Sequence, residues 1–146
     1  MRSLGLDVGS HTIGVAVSDA LDITAQGMET VRRKNLAYDI EKIKDYVVRY
    51  DIETFVVGHP KNMDGSLGAQ AKMSEEFADM LKEHFPERKI VLWDERLTTQ
   101  AAHRMLIDAD VKRKGRKKVV DKIAAVLILQ GYLDRIKNDE ISNAKG

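Results

Sequence analysis

The segment between residues 3 and 19 constrains the fold more than any other part of the chain. Apolar side chains alternate there with small or polar ones on both sides of a short, glycine-containing turn, a pattern that predicts a β-hairpin. The small residues Gly5, Gly14 and Ala16 weaken a strand unless another backbone must approach closely, so they indicate a smooth face that something packs against. Asp7 lies inside the first strand, where a charge is costly unless another group pairs with it.

Hydrophobic periodicity predicts alternating helices and strands over the rest of the chain. The predicted strands are 2–8, 12–18, 23–31, 54–58 and 89–93, and the predicted helices are 36–50, 67–84, 100–107 and 119–136. Asn35 and Ser66 are placed to cap the first two helices. The first three strands can form an antiparallel meander, and the last two follow crossover helices and should run parallel to the first. The expected fold class is α/β, a mixed five-stranded sheet of three antiparallel plus two parallel strands with helices on both faces.

Composition narrows the classes of function. The 146 residues, 43% of them hydrophobic, suit a single domain at 1–138 followed by a polar, flexible tail at 139–146. The absence of cysteine excludes disulfides, thiolate nucleophiles and Cys-ligated zinc, and it is compatible with a cytoplasmic location. We expect no membrane association, since no apolar run is long enough to span a bilayer and no signal segment precedes the first strand. The net charge of +1 gives no global attraction for nucleic acid, so any such attraction must be local.

Carboxylates fall at element ends that the predicted sheet would bring together. Asp7 lies in the first strand, Asp94 and Glu95 follow the last one, and Asp121 lies in the first turn of the last helix. Because the carboxyl ends of neighbouring parallel strands meet at one rim, these acids can cluster there. Clustered carboxylates repel one another and need a cation; oxygen ligands suit Mg²⁺ or Mn²⁺, and a pair of such ions suits phosphodiester cleavage. Each acid also has a structural explanation: Asp121 favours a helix N-terminus, and Asp94 or Glu95 can pair with Arg96 in a turn.

A basic segment directly precedes the last predicted helix. Its cationic residues are Lys112, Arg113, Lys114, Arg116, Lys117 and Lys118. Runs of this kind are often only solvated surface, but a position next to Asp121 would let this one hold a phosphate backbone beside the metal site. The shorter basic run Arg32, Arg33 and Lys34 can add to it. Few aromatic residues interrupt the segment, so stacking on bases should be minor.

Five motifs, taken together and in order, resemble the YqgF/RuvX family over nearly the whole chain. They are Gly-Leu-Asp-Val-Gly at 5–9, Ile-Gly-Val-Ala-Val-Ser-Asp at 13–19, Val57-Gly58 with Pro60 and Asn-Met-Asp-Gly-Ser at 62–66, Asp-Glu-Arg-Leu-Thr-Thr at 94–99, and Asp-Lys-Ile-Ala-Ala at 121–125. The family comprises pre-16S rRNA nucleases that are also described as Holliday-junction-resolvase-like. The resemblance implies an RNase H-like fold, metal-dependent nuclease activity and a role in maturing the 5′ end of 16S rRNA, with the ribosome as an expected partner. On the matching positions it implies that Asp7, Glu95 and Asp121 are the catalytic acids and metal ligands.

Three functions remain to be distinguished. The leading hypothesis is an endonuclease on structured RNA, with branched junction DNA as a rival substrate for the same chemistry. A non-catalytic nucleic-acid-binding module is the second, although none of the three acids is missing here. A phosphotransferase of the sugar-kinase type is the third, but such enzymes need two of these domains, and the chain has neither the length nor a P-loop.

Overall fold

The structure, a computed structural model, describes residues 2–60, 67–95 and 116–145, with the side chains of the last segment described from 123 to 139. Its strands are β1 Arg2–Val8, β2 Thr12–Ser18, β3 Ala25–Gly27, β4 Val31–Arg32, β5 Ile52–His59 and β6 Lys89–Asp94. The helices in these ranges are Leu36–Tyr50, Ala69–His84 and Arg116–Lys145, named α1, α2 and α3 here. The sheet order is β3-β2-β1-β5-β6, and β4 pairs with β2 off this path.

The hairpin and the parallel strands are placed as predicted. β1 pairs antiparallel with β2, and Asp7 lies opposite Gly14. The turn between them closes where the Gly9 amide donates to the Thr12 carbonyl at 2.9 Å. β5 runs parallel to β1, and β6 runs parallel to β5. The predicted mixed sheet is therefore confirmed, with one strand more than expected.

The extra strand arises because the single strand predicted at 23–31 is two short ones. β3 pairs with the end of β2, at Ser18, and β4 pairs with its beginning, at Thr12. Between them the chain stays attached through the Met28 amide, which donates to the Val15 carbonyl at 2.8 Å. Gly27, which weakens a strand, stands at the break.

α1 has the boundaries and the cap that were predicted. The Asn35 side chain accepts a hydrogen bond from the Tyr38 amide at 2.8 Å, which satisfies one of the free amides of the first turn. The helix ends at Asp51, whose φ of 52° is left-handed. β5 starts at the next residue, Ile52, earlier than predicted, because that buried side chain extends the strand beside Arg2.

α2 and α3 differ from the predicted helices at their ends. α2 begins at Ala69 after Gly68, which has no capping side chain, and not after Ser66, which lies outside the described residues. The helix predicted at 100–107 also lies outside them.

α3 is longer than predicted in both directions, because the residues flanking the apolar stretch form helix readily. Arg116, Lys117 and Lys118 therefore belong to a helix and not to a loop, while Lys112, Arg113 and Lys114 lie outside the described residues. At the other end the helix continues to Lys145, through most of the segment predicted to be a tail.

Two cores lie on opposite faces of the sheet. The larger one joins the apolar side chains of β1, β2 and β5 to those of α1 and α2. The smaller one joins Ala16, Val56 and Trp93 of the sheet to the α3 residues Ala125 and Leu129, among others. Helices thus cover both faces, as predicted.

Gly5 sets how closely α3 approaches the sheet. A Cβ atom at this position would lie 2.7 Å from the Leu129 Cβ and 3.1 Å from the Ala125 carbonyl oxygen. Both atoms belong to the rigid part of the helix, so they cannot move aside alone. The small-residue face predicted from the hairpin is therefore the face that α3 packs against.

We expect Gly5→Ala to destabilise the protein by about 1–3 kcal/mol, because α3 must move away from β1 to accommodate the methyl group. The measurement is the urea unfolding midpoint. Gly68→Ala is the matched control, since nothing lies within 4 Å of a Cβ atom at that position. Equal midpoints for the two variants would show that α3 does not limit the space at Gly5.

Within the described ranges, no helix combines the length and apolar character that a membrane crossing requires.

Candidate active site

Asp7 lies near the carboxyl end of β1, on the face that α3 covers. Leu4, Leu6 and Val8 point into the core beneath α1 and α2. Because successive side chains of a strand point to opposite faces, Asp7 shares the other face with Gly5. It is partly buried, directly across from a residue without a side chain, Gly14.

Glu95 reaches the same face from the end of β6. Trp93 is opposite Gly58 in the sheet and packs in the core beneath α3. Glu95 follows two residues later, and its carboxyl carbon lies 3.3 Å from where a Cβ atom on Gly58 would be. The absence of a side chain at Gly58 therefore leaves room for Ile128 of α3, whose Cδ1 would lie 2.5 Å from that Cβ atom, and for the Glu95 carboxyl beside it.

The other carboxylates at this rim are close enough to affect the ionisation of Glu95. Burial, and next the negative charges of Asp7 and Asp94, raise the pKa of Glu95 from 4.5 to about 7. Asp94 is opposite His59 in the sheet, one residue before Glu95, so the two side chains point to opposite faces. The structure thus brings Asp7 and Glu95 together, while Asp94 is near enough for its charge to act on Glu95.

Asp121 is the third predicted acid. Its backbone lies in α3, four residues before Ala125, and its side chain is outside the described set, as are the side chains of the predicted basic segment. Among the side chains that are described, no group of three acids or histidines is arranged to hold a metal ion.

The donor set that is present nevertheless suits a hard cation. Asp7 and Glu95 offer only carboxylate oxygens, the ligands that Mg²⁺ and Mn²⁺ prefer. Their mutual repulsion is the cost of keeping two acids together, and a divalent cation between them would offset it.

An ion pair that the sequence analysis missed fixes the turn after Asp7. Arg33 Nε is 2.9 Å from Oδ2 of Asp39, a side chain only 1% exposed. Arg33 Nη1 donates to the Gly9 carbonyl at 2.9 Å, and the Arg33 amide donates to the His11 carbonyl at the same distance. The sequence predicts a phosphate contact for the run 32–34, whereas in the structure Arg33 of this run holds the turn in place.

His59, at the end of β5, is a second residue without a predicted role. It is buried, and its Nε2 lies 3.1 Å from Oε1 of Glu75 on α2. Its side chain therefore ties α2 to the strand next to the acids. No local sequence pattern marks a pair sixteen positions apart.

The chain is similar to known proteins over nearly its whole length. Residues 1–135 match the family described as "RuvX: Holliday junction resolvase". A protein of Halalkalibacterium halodurans named "Putative pre-16S rRNA nuclease" is 61% identical over 137 residues, which cover 92% of this chain and 97% of that protein. A protein of the same name from Clostridium botulinum is 55% identical over 136 residues, covering 93% of this chain and 98% of that one.

Among solved structures, Thermus thermophilus RuvC in complex with a Holliday junction substrate is similar with a TM-score of 0.56 and 15% identity, over 92% of this chain and 96% of that one. At this identity the likeness concerns the fold, which is the RNase H-like fold predicted above. The family and the enzyme class expected from the sequence are both confirmed: the chain belongs to the RuvX family of nucleases.

Proposed function

We propose that this chain is a metal-dependent endonuclease that cleaves structured RNA, with Asp7, Glu95 and Asp121 as its catalytic acids. The observation that carries the proposal is the convergence of Asp7 and Glu95 on one rim and one face of the sheet, where burial and next the charge of Asp7 raise the pKa of Glu95 to about 7. Two acids held together against their repulsion, in a site partly closed by α3, favour a catalytic role over a structural one.

Asp7 and Glu95 would hold the cation, Mg²⁺ or Mn²⁺, through their carboxylate oxygens. Bound there, one or two such ions would supply Lewis-acid activation of a phosphodiester and of a water molecule. Asp121 is proposed as a further ligand because residues four apart share a helix face, and Ala125 of the same face packs on Gly5, two residues before Asp7.

Glu95 is preferred to Asp94 as the ligand. Glu95 shares the α3 side of the sheet with Trp93, and its carboxyl sits against Gly58. Asp94 alternates to the other side, level with His59. This placement supports the assignment that the family resemblance favours.

Pre-16S rRNA is the proposed substrate, and its 5′-end maturation the proposed role. The name shared by the relatives from Halalkalibacterium and Clostridium supports this, at 61% and 55% identity over nearly the full length of each protein. With such a substrate the protein would act in the cytoplasm, where it would meet ribosomal precursors.

A branched DNA junction is the second candidate substrate. The family description and the fold shared with a RuvC that was solved on a Holliday junction favour it. The chemistry at Asp7 and Glu95 would be the same on either substrate, so only a comparison of substrates separates them.

The test is cleavage of a pre-16S rRNA fragment and of a four-way DNA junction by the same preparation, with Mg²⁺, with Mn²⁺ and with chelator. We expect metal-dependent cleavage of the RNA, and none by Asp7→Asn. Preferential cleavage of the junction would replace the proposed substrate. No cleavage of either substrate, while both are bound, would favour the non-catalytic binding module.

Nucleic-acid binding should depend on the basic residues before and at the start of α3. Neutralising Lys112, Arg113, Lys114, Arg116, Lys117 and Lys118 together should weaken binding and lower the slope of log affinity against log salt, by up to about 0.7 per lost phosphate contact on a single strand. Neutralising Lys82 and Lys89 is the control, because both lie toward the opposite rim of the sheet. A slope that equals the control's would remove the segment from the binding surface.

A further inference from the structure

A pocket opens on the other side of the β1–β2 turn from Asp7. Its volume is about 310 Å³, and it is lined by Ser10, Arg33, Lys34, Asn35, Leu36, Asp39 and Met73. Ser10 follows Asp7 by three residues, so their Cα atoms are at most about 11 Å apart. A strand of nucleic acid with its cleaved bond at the acids would reach this pocket within a few nucleotides.

At the bottom of the pocket the opposite charges of Arg33 and Asp39 cancel, and both side chains are held in place. Asp39 contributes the one carboxylate among the lining residues, and Arg33 neutralises it through the 2.9 Å ion pair. Arg33 is further fixed by the Gly9 carbonyl and by the ring of Phe77, 5.5 Å from its guanidinium carbon. The pocket therefore does not depend on a ligand for its shape, and its floor does not repel an anion.

Lys34 lines the pocket, Lys42 shares the Tyr38 ring with it, and this ion pair balances neither of the two positive charges. The ammonium of Lys34 lies 4.6 Å from the centre of the Tyr38 ring, and that of Lys42 lies 5.4 Å from it. Attraction to the ring restrains both flexible side chains, so less of their freedom is lost when they meet a phosphate. Leu36, 53% exposed at the start of α1, adds an apolar surface beside them.

We propose that this pocket binds one nucleotide of the substrate strand beside the cleavage site, with Lys34 and Lys42 on the adjoining phosphates. The sugar and base would lie against Leu36 and Met73, in a space of the size that small ligands occupy. A basic track next to an aromatic ring is the arrangement with which proteins hold single-stranded nucleic acid. The inference rests on the proposed nuclease function and extends its substrate contacts beyond the acids.

The experiment measures binding of a fluorescent single-stranded RNA by anisotropy across a range of salt concentrations, in the full chain carrying Glu95→Gln to prevent cleavage. Adding Lys34→Gln and Lys42→Gln should weaken binding on the order of tenfold near 0.1 M salt and lower the log–log salt slope by about 1.4, as for two lost phosphate contacts. Lys44→Gln with Lys82→Gln is the control, since it removes the same charge from exposed positions of α1 and α2. Lys44 lies six residues after Tyr38 and so faces away from its ring, whereas Lys42, four residues after it, lies over the ring.

A second variant separates binding from folding. Leu36→Glu places an acid at the first position of α1, where the helix dipole favours it, so the fold should be as stable as before. The same acid stands at the pocket and should weaken RNA binding several-fold. Thermal unfolding of each variant checks that no loss of binding comes from unfolding.

Either of two results would overturn the inference: the Lys34/Lys42 variant binding as the control does, or weaker binding with an unchanged salt slope. Both can occur in a protein that cleaves RNA, so the proposed function would stand. If the wild type cleaves nothing but the pocket variants lose RNA affinity as expected, the function falls and the binding site remains.

Discussion

Glu95→Gln is expected to abolish cleavage while the fold remains intact. The substitution keeps the size of the side chain against Gly58 and removes its charge, so it removes a proposed cation ligand without removing packing. We expect the single-turnover cleavage rate at saturating Mn²⁺ to fall by about 10²-fold or more, the scale seen when one electrostatic contribution to a transition state is lost.

Asp94→Asn is the matched comparison, since it removes the neighbouring charge from a position level with His59. It should retain more activity than Glu95→Gln under the same conditions. If Asp94→Asn is inactive and Glu95→Gln is not, the roles of the two acids are reversed. Circular dichroism of both variants distinguishes lost chemistry from lost structure.

In the absence of metal, Glu95→Gln is expected to make the protein more stable above neutral pH. Burial and the charges of Asp7 and Asp94 raise the pKa of Glu95 to about 7 in the folded state, against 4.5 without them. The folded state therefore holds a proton more tightly than the unfolded state. Stability from this group is fully present below pH 4.5 and is lost as the pH rises through about 7. Allowing for partial solvent exposure, we expect the loss to be roughly 2–3 kcal/mol.

The measurement is the free energy of unfolding in chelator for wild type and Glu95→Gln between pH 4 and pH 9. The two curves should coincide at acid pH, where Glu95 is neutral in both states, and separate with rising pH in favour of the variant. Asp7→Asn should make the separation smaller and complete it at a lower pH, because it removes one of the charges that raise the pKa of Glu95. Mn²⁺ should stabilise the wild type most. Parallel curves with no pH dependence of their difference would show that Glu95 ionises normally and that the acids do not share a site.

The hairpin could be predicted to the residue because its information is local. The alternation of apolar and polar residues and a glycine-containing turn specify β1 and β2. The small residues on one face of this hairpin predict that another element packs closely on it. The break between β3 and β4 could not be predicted, because it depends on which parts of β2 remain free to pair. The start of α3 differs from the prediction for another reason: a run of basic residues predicts a loop, although Arg and Lys form helix well.

The convergence of Asp7 and Glu95 could be predicted from topology, since parallel strands bring their carboxyl ends to one rim. Periodicity alone could not choose between Asp94 and Glu95, because the choice depends on the phase of β6 relative to α3. The role of Arg33 also could not be predicted from the sequence, because its partners Gly9 and Asp39 belong to different elements that only the folded chain brings together.

The position of α3 in the chain has a consequence for synthesis. This helix is made more than 90 residues after the strands that it covers at Gly5 and Ala16. Chains grow at about 5–20 residues per second, so a nascent chain exposes Ala16, Val56 and Trp93 until the ribosome has released the residues around Ala125 and Leu129. A product terminated before α3 lacks this cover and leaves the apolar face of the sheet in water, the kind of exposed surface that makes incomplete chains prone to aggregate.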